Sequence, residues 1–377
     1  MPIKVVVNTI PLLKPATGVG WYIYNLCHEF LHLSPSEFSF YFYYGWFSRK
    51  IYMPSSKVSS TNFFLKPFKV LLRRLSRYAS FFSSNHFDLY FEPNFIPLSF
   101  KARSIVVTVH DFSFIRYPNW HPKERIAYFN NNFFKNIYKA DAIVTPSEFI
   151  AEEVKQFIPD FTGKVKPIHL ACDTSVFNTQ AASGFEKFFS SFPEKYILFV
   201  GTIEPRKNLS TLLKAYSLLP SYLRKEYPIV IVGAGGWKNS SIKEQLKVFI
   251  ERGEAIHLGY VPIKLLAALY TKAYCLVYPS FYEGFGLPPL EAMSCGCPVI
   301  VSNVASLPEV CGDAALYIDP TQVEELASTL FKLLSSVKLR NFLSSKALLR
   351  ASMFSWEKAA KNHLSLFSSL LLDKKLK

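Results

Sequence analysis

The chain has 377 residues, of which half are hydrophobic and 19% are charged. This composition excludes a disordered or low-complexity protein and leaves enough chain for two domains with buried cores. Lys and Arg number 43 against 28 Asp and Glu, so the net charge of +15 at pH 7 favours an anionic partner: a nucleic acid, a phosphate-bearing small molecule or an acidic lipid surface.

The six cysteines provide no disulfide framework, and Cys295 and Cys297 have no second pair or nearby histidine at zinc spacing. A reduced, cytosolic setting is therefore expected. No uncharged apolar run reaches the roughly 18 residues of a membrane-spanning helix, and the N-terminus reads as part of the fold rather than as a signal peptide. The positive charge comes without a nucleic-acid-binding module, which disfavours nucleic acid as the partner.

In the first half, short apolar runs alternate with segments of helical period, which is typical of parallel α/β units. The predicted strands are residues 3–7, 38–43, 88–92, 104–109, 142–145 and 164–168. Helices are predicted between them at 19–31, 123–139 and 147–157. Ser147 is expected to cap the last of these helices, with Glu148 in its first turn.

The second half repeats this alternation, with predicted strands at 196–200, 229–232, 255–258, 275–278, 299–301 and 315–318. From Val323 onward the pattern is helical, and residues 178–193 read as a linker. We therefore predict an α/β fold with two doubly wound domains, 1–180 and 181–354, and a helical tail, 355–377, that completes the first domain. A cleft between the domains is the natural site.

The densest chemical signal follows the predicted strand 275–278. Pro288 and Pro289 suit the first turn of a helix, and the preceding glycines allow backbone amides to approach a phosphate at the helix N-terminus. Glu283 and Glu291 would repel that anion unless they bind hydroxyl groups, and a sugar nucleotide offers hydroxyls on its ribose and its sugar. The alternative is a helix cap with a solvated glutamate.

Two further strand ends carry polar residues. Arg206 and Lys207 lie in a loop after the strand 196–200, where adjacent cations would stabilise a departing diphosphate, although such a pair also occurs on ordinary surfaces. His110 and Asp111 end the strand 104–109, at the sheet edge where ligands of open α/β sheets bind. A packed histidine is the alternative for His110.

The Glu283 and Glu291 spacing, with seven residues between them in a glycine-proline setting, resembles the signature of retaining family 4 glycosyltransferases of the GT-B architecture. The segment after His110 is similar to the mannosyltransferase-like branch. This resemblance implies two facing Rossmann-like parallel-sheet domains. It also implies that Glu283 contacts the transferred sugar, Glu291 the ribose, and His110 the hydroxyls of the donor sugar.

The resemblance assigns the remaining roles residue by residue. It places the donor at Gly18, Gly20, Gly201, Glu204, Arg206, Lys207, Gly233, Tyr260, Val261, Glu283, Gly284, Phe285, Gly286, Leu287 and Glu291. It places the chemistry at His110, Asp111, Arg206, Lys207 and Glu283. The glycine loop around Gly18 departs from the family at Trp21, where an arginine is frequent, so a cationic contact from that loop is not expected.

The expected activity is transfer of a hexose, mannose from GDP-mannose, to a glycan acceptor in lipopolysaccharide, O-antigen or other cell-surface polysaccharide synthesis. Anomeric configuration is expected to be retained, with no cofactor and no metal, because cations replace the metal at the diphosphate. Two alternatives stay open: a sugar-nucleotide epimerase of the same architecture, and a non-catalytic pseudoenzyme that binds glycan or membrane.

A basic segment with interleaved Phe and Leu side chains is a candidate membrane surface. Its cations are Lys66, Lys69, Arg73, Arg74 and Arg77. A helix with these spacings could lie at an acidic bilayer, or it could be a core-facing helix with solvated cations. The expected location is the cytoplasm, with peripheral contact to the inner face of the membrane.

Overall fold

The computed structural model describes residues 2–13, 18–33, 36–53, 86–237 and 239–374, which fall into two compact units. The first unit consists of Met1–Phe112, Glu124–Leu170 and Trp356–Lys377, and the second of Ser113–Lys123 and Ala171–Ser355. The main boundary therefore falls at residues 170/171 rather than at 180/181. The short segment Ser113–Lys123 also leaves the first unit, which the sequence pattern did not indicate.

The first unit is built on a sheet. Its strands are β1 (Ile3–Asn8), β2 (Phe38–Tyr43), β3 (Phe47–Ser48), β4 (Phe87–Glu92), β5 (Ala102–Thr108), β6 (Ala142–Thr145) and β7 (Lys164–Pro167). Among the described residues their order is β3-β2-β1-β4-β5-β6-β7. All pairs are parallel except β2 with β3, which form an antiparallel hairpin at the edge. The six predicted strands of this half are confirmed within two residues, and β3 was missed.

The second unit contains a sheet of parallel strands. They are β8 (Ile197–Val200), β9 (Ile229–Val232), β10 (Ala255–Gly259), β11 (Cys275–Tyr278), β12 (Val299–Ser302) and β13 (Ala315–Ile318). Their order in the described part of the chain is β10-β9-β8-β11-β12-β13. The strand order reverses between β8 and β11, and in such sheets ligands bind beyond the carboxyl ends of the strands at that point. The loops after β8 and β11 are therefore where a site is expected.

Helices connect the strands of both units. In chain order they are α1 (Gly18–Leu33), α2 (Ser113–Arg116), α3 (Lys123–Ile137), α4 (Glu148–Phe157), α5 (Glu186–Phe189), α6 (Leu209–Ser217), α7 (Ser221–Glu226), α8 (Ser240–Glu251), α9 (Ile263–Lys272), α10 (Leu287–Ser294), α11 (Leu307–Cys311), α12 (Val323–Leu334), α13 (Val337–Ala351) and α14 (Trp356–Asp373). The Ser147 hydroxyl accepts a hydrogen bond from the backbone N–H of Ile150 at the start of α4, which confirms the predicted cap. No helix among the described residues is long and apolar enough to cross a membrane.

The core of the second unit lies on the strands that position the candidate site. Strands β8, β9, β11 and β12 are buried along their whole length, as expected for a parallel sheet covered on both faces. Helix α6 buries Leu209, Leu212 and Tyr216, whose spacing of three and four places them on one face against the sheet. This packing fixes the start of α6 and the loop that leads into it.

Two segments lie close in sequence to the boundaries between the units. The C-terminal helix α14 belongs to the first unit, where its Phe367 ring lies 5.8 Å from the Phe30 ring of α1. The expected linker 178–193 belongs to the second unit, and it contains helix α5. An aromatic cluster gives this segment an apolar attachment, since Phe192 packs edge-on against Tyr196 at 5.3 Å. The linker prediction was therefore wrong.

Candidate active site

The loops after β8 and β9 meet backbone to backbone. A Cβ atom at Gly233 would lie 2.0 Å from the carbonyl oxygen of Gly201, and Gly233 has φ +149°. Only glycine fits such an approach. The backbone N–H of Gly201 in turn donates to the carbonyl of Val232 at 2.9 Å. Both glycines were predicted to bind the donor, and the close backbone approach is a structural reason for glycine at position 233 as well.

Asn208 joins three loops at this edge of the sheet. It has a left-handed backbone, φ 57°, between the 3-10 helix Pro205–Lys207 and α6. Its buried amide donates to the carbonyl of Pro279 after β11 at 2.9 Å and to that of Pro320 after β13 at 2.8 Å. Sequence reasoning missed this residue. An asparagine directly before a helix, where a left-handed conformation is tolerated, was the available signal.

Arg206 and Lys207 converge on one carboxylate. The guanidinium of Arg206 lies 3.0 Å from Glu283 Oε2 and 2.8 Å from Glu204 Oε1. The ammonium of Lys207 donates to Glu283 Oε1 at 2.6 Å and to the hydroxyl of Tyr278 at 2.5 Å. The structure thus brings together four residues that the sequence analysis placed at the donor, and it adds Tyr278, the last residue of β11.

The electrostatics of this cluster keep Glu283 ionised. Burial raises the pKa of Glu283, but the charges of Arg206 and Lys207 outweigh burial and hold the pKa at about 2. Burial lowers the pKa of Lys207, and Glu283 opposes that effect. Glu283 is therefore an acceptor of hydrogen bonds at neutral pH and cannot act there as a proton donor.

The glycine loop after β11 turns directly into α10. Gly286 precedes this helix with φ 106°, and a Cβ atom there would lie 2.8 Å from a methyl group of Leu307. The Ser306 hydroxyl lies 2.9 Å from the carbonyl oxygens of both Glu283 and Phe285, and it therefore holds the two ends of this loop segment together. Ser306 follows β12 and was not found from the sequence. The predicted helix start at the two prolines is confirmed, since they occupy the first turn of α10.

Glu291, in the middle of α10, has an environment unlike that of Glu283. Its carboxylate accepts a hydrogen bond from the Tyr270 hydroxyl of α9 at 3.0 Å. Burial raises the pKa of Glu291 to about 7, and the hydrogen bond from Tyr270 opposes this rise. No Lys or Arg pairs with Glu291 among the described residues. A carboxylate in this state gains from any hydroxyl group that donates to it.

The remaining donor positions of this unit lie around the same edge. Tyr260, just after β10, is 55% exposed, whereas the neighbouring Val261 is buried. The ring Nε2 of His257 donates to the carbonyl of Gly233 at 2.9 Å and connects β10 to the loop after β9. Gly284 lies in the loop after β11, and Leu287 is the first residue of α10.

His110 occupies the carboxyl end of β5 in the first unit. Its ring Nε2 donates to the carbonyl of Pro93 at 2.8 Å. The rings of Tyr22 and Phe95 lie against it at 5.1 Å and 5.5 Å, both edge-on. Burial lowers the pKa of His110, against opposing effects of Pro93 and Asp111. The ring is therefore held in one orientation and in the neutral form.

A buried hydrogen-bond chain supports the Tyr22 ring. His363 of α14 donates from Nδ1 to the carbonyl of Ala359 at 2.8 Å, so its Nε2 accepts from the Tyr22 hydroxyl at 3.2 Å. The Thr108 hydroxyl lies 2.9 Å from the same Tyr22 oxygen. Trp356 packs against Tyr22 with ring centroids 6.1 Å apart. Sequence reasoning did not connect α14 with His110.

The first glycine loop is described only in part. Helix α1 begins at Gly18, one residue before the predicted start, so Gly18 and Gly20 both lie in its first turn. The first turn of a helix has N–H groups without partners inside the helix, which is the feature that the predicted donor contact would use. The cations Lys66, Lys69, Arg73, Arg74 and Arg77 lie outside the described residues. Among the residues described, no group of His, Cys, Asp and Glu is arranged to hold a metal ion.

The second unit has a doubly wound sheet, and cations, carboxylates and helix amides lie at its switch point. This arrangement is typical of enzymes that bind a nucleotide or another phosphorylated ligand. Residues 184–350 match the family model described as "Glycosyl transferases group 1". The chain is also 36% identical over 285 residues to the O-antigen chain mannosyltransferase B of Escherichia coli, covering 75% of this chain and 74% of that protein. The chain therefore belongs to the glycosyl transferases group 1 family and is a glycosyltransferase.

Two further comparisons agree with this assignment. The serotype-specific mannosyltransferase WbdA of Escherichia coli is 34% identical over 254 residues, which cover 64% of this chain and 30% of WbdA. The solved structure of sucrose-phosphate synthase from Thermosynechococcus elongatus matches 98% of this chain and all of that chain with a TM-score of 0.74 at 18% identity. The GT-B fold and the resemblance to mannosyltransferases are thus confirmed. The roles of individual residues stay predictions.

Proposed function

We propose that the protein transfers mannose from a nucleoside diphosphate mannose, GDP-mannose, to a lipid-linked or free glycan during O-antigen or related polysaccharide synthesis. The names of the two Escherichia coli relatives both support mannose, and the name of mannosyltransferase B also supports O-antigen synthesis. The observation that carries the proposal is the cluster of Arg206, Lys207 and Glu283 at the switch point of the second sheet. It combines cations for a diphosphate with a fixed acceptor for sugar hydroxyls.

The proposed reaction retains the anomeric configuration. The acceptor hydroxyl forms a bond to the anomeric carbon on the face from which the diphosphate leaves, and the hydroxyl proton passes to a diphosphate oxygen. Negative charge rises on the diphosphate as the glycosidic bond breaks. Arg206, Lys207 and the amides at the start of α10 stabilise that charge, so the step needs no metal ion.

The two carboxylates take different parts in this proposal. Glu283, with its pKa near 2, accepts hydrogen bonds from the mannose hydroxyls and orients the ring. Glu291, with its pKa near 7, accepts from the ribose hydroxyls. His110 is neutral, and its Nε2–H is engaged by Pro93, so its other ring nitrogen can accept a hydrogen bond from a donor hydroxyl.

The donor is tested by offering GDP-mannose, UDP-glucose and UDP-N-acetylglucosamine to the protein. We expect GDP-mannose to raise the melting temperature most and to be hydrolysed slowly without acceptor, releasing α-mannose if the configuration is retained. Interconversion of nucleotide sugars without acceptor would instead favour the epimerase. Stabilisation by no nucleotide sugar would contradict the proposal and favour a pseudoenzyme.

We also propose that the protein acts in the cytoplasm at the inner face of the membrane. The sequence segment with Lys66 to Arg77 supplies cations, and it follows a hairpin region of the first unit that exposes large side chains. Trp46 is 55% exposed, Tyr52 50% and Met53 66%. Exposed aromatic side chains and cations within one part of a sequence suit the interface of an acidic bilayer.

Sedimentation with lipid vesicles tests this contact. We expect binding to vesicles that contain phosphatidylglycerol and none to pure phosphatidylcholine. Replacing Lys66, Lys69, Arg73, Arg74 and Arg77 by glutamine should abolish binding. Five glutamines in place of exposed lysines of the second unit should leave it unchanged. An equal loss of vesicle binding in both variants would contradict the proposal, because binding would then depend only on the net charge of the protein.

A further inference from the structure

A short segment that we call the strap, Ser113–Lys123, belongs to the second unit although the chain on both sides of it belongs to the first. It begins two residues after Asp111. Its backbone folds on itself, since Tyr117 N–H donates to the carbonyl of Ser113 at 2.9 Å and Trp120 N–H to that of Tyr117 at 2.9 Å. His121 Nε2 lies 3.0 Å from the Ser113 hydroxyl and closes the strap across its ends. The strap is therefore a preformed element rather than an open loop.

Aromatic rings attach the strap to the glycine loop after β11. Tyr117 and Trp120 stack in parallel, with centroids 4.1 Å apart and planes 5° apart. Trp120 lies 5.5 Å from the ring of Phe281, and Tyr117 lies edge-on to Tyr282 at 5.7 Å. Each such ring pair favours one relative position of the two segments beyond simple burial.

The residues that receive these rings immediately precede Glu283. Their backbone is held from the other side by Arg206, whose carbonyl accepts from the N–H of Phe281 at 3.0 Å and whose guanidinium donates to the carbonyl of Tyr282 at 2.7 Å. The stretch Phe281 to Tyr282 is thus clamped between the Arg206 loop and the strap. Glu283 is the next residue, so the position of its side chain depends on this held stretch of backbone.

We propose that Tyr117 and Trp120 are positioning residues for Glu283 in sugar transfer. They fix the backbone before Glu283, and Glu283 in turn keeps its place between the two cations. The inference rests on the proposed function, which assigns Glu283 to the donor sugar. A displacement of a substrate-orienting group by a fraction of an ångström lowers kcat more than it changes binding, because the ground state tolerates loose contacts that the transition state does not.

The test compares Trp120→Ala and Tyr117→Ala with the ring-preserving Trp120→Phe, and with Tyr222→Ala as a matched control. Tyr222 belongs to the same unit and is 60% exposed. We expect each strap alanine variant to lower kcat roughly 10-fold, with KM for the donor changed less than about twofold. Trp120→Phe should restore most of kcat, and Tyr222→Ala should match the wild type. If Trp120→Ala does not fold, Trp120→Leu keeps bulk without a stacking ring and is measured instead.

A double-variant cycle identifies the residue through which the strap acts. In a Glu283→Gln background, adding Trp120→Ala should lower kcat no further, because the group that the strap positions is already impaired. Full additivity, or a strap variant with wild-type kcat while Glu283→Gln is inactive, would overturn the strap proposal alone. Wild-type kcat in Glu283→Gln would overturn the assignment of Glu283 itself, and the proposed function would fail at that residue.

Discussion

Glu291 lets the proposed ribose contact be tested through proton linkage. Its pKa is about 7 in the protein, against an ordinary value of 4.5. Below pH 4.5 the carboxyl is protonated in the folded and unfolded states, and it does not affect the folding equilibrium. As the pH rises from 4.5 to 7, the unfolded chain loses this proton before the folded protein does, so the fold is progressively destabilised, by up to about 3 kcal/mol once the pH is above 7.

Glu291→Gln removes this penalty, since glutamine is uncharged at every pH. At pH 8 we expect the variant to melt at a higher temperature than the wild type, by about 2–4 °C for each kcal/mol regained. At pH 4, where Glu291 is protonated in the folded protein and mostly protonated in the unfolded chain, the two proteins should melt at nearly the same temperature. The partial exposure of Glu291 makes the full 3 kcal/mol an upper bound.

Nucleotide binding should show the opposite pH dependence. Ribose hydroxyls donate to the ionised carboxylate, so binding must first remove the proton from Glu291 at low pH. At pH 5.5 this costs roughly 30-fold in affinity for GDP relative to a fully ionised carboxylate, which follows from a pKa of about 7. Binding near pH 7 should release about half a proton.

Titration calorimetry of GDP between pH 5.5 and 8, in buffers of different ionisation enthalpy, measures both quantities. The diphosphate of GDP itself titrates near pH 6, and this affects binding to the wild type and to Glu291→Gln equally. The difference in pH dependence between the two proteins is therefore due to Glu291. Inorganic pyrophosphate, which lacks ribose, should bind both proteins alike. An identical pH dependence of GDP affinity in the two proteins would refute the ribose contact.

Other predictions concern the loops after β8 and β11. Arg206→Ala or Lys207→Ala should lower kcat on the order of 10²-fold, since each cation contributes about 3 kcal/mol to the leaving diphosphate, whereas Lys214→Ala on the exposed face of α6 should have no effect in the same transferase assay. Glu283→Gln should lower kcat at least as much, yet tighten GDP binding measured by calorimetry, because it removes the anion that competes for the two cations. Asn208→Ala should cost about 2–3 kcal/mol in denaturant unfolding, and Asn208→Gly less, because glycine keeps the left-handed backbone and loses only the side-chain hydrogen bonds to Pro279, Pro320 and Thr211.

The sequence predicted the strands well because a buried parallel strand leaves a strong local signal. The predicted strands 229–232, 275–278 and 315–318 coincide with β9, β11 and β13. Each is a short apolar run between turn residues, and such a run is read without tertiary information. The two-residue β3 has no such signal, because its pairing to β2 depends on the turn at Gly45.

Charged residues in loops after strands could be predicted from the sequence. Residues that reach the site only through tertiary packing could not. Arg206, Lys207 and Glu283 were found from charge, glycines and strand ends. Tyr270 could not be found, because a buried tyrosine on a helix has no sequence mark that separates a hydrogen bond to Glu291 from ordinary packing. The strap was hidden for a related reason, since its membership of the second unit depends on ring contacts between residues far apart in sequence.

In the proposed reaction, the charges of the second unit favour the transition state over ground-state binding of the diphosphate. Arg206 and Lys207 are paired with Glu204 and Glu283, so two cations face two carboxylates. This pairing holds the cations in place before the diphosphate arrives, and a preorganised charge loses little when the transition state forms. It also weakens ground-state attraction for the diphosphate, because the anion must share the cations with the carboxylates. The stabilisation is then largest as charge develops on the leaving group, which is the condition under which electrostatic interactions raise kcat rather than lower KM.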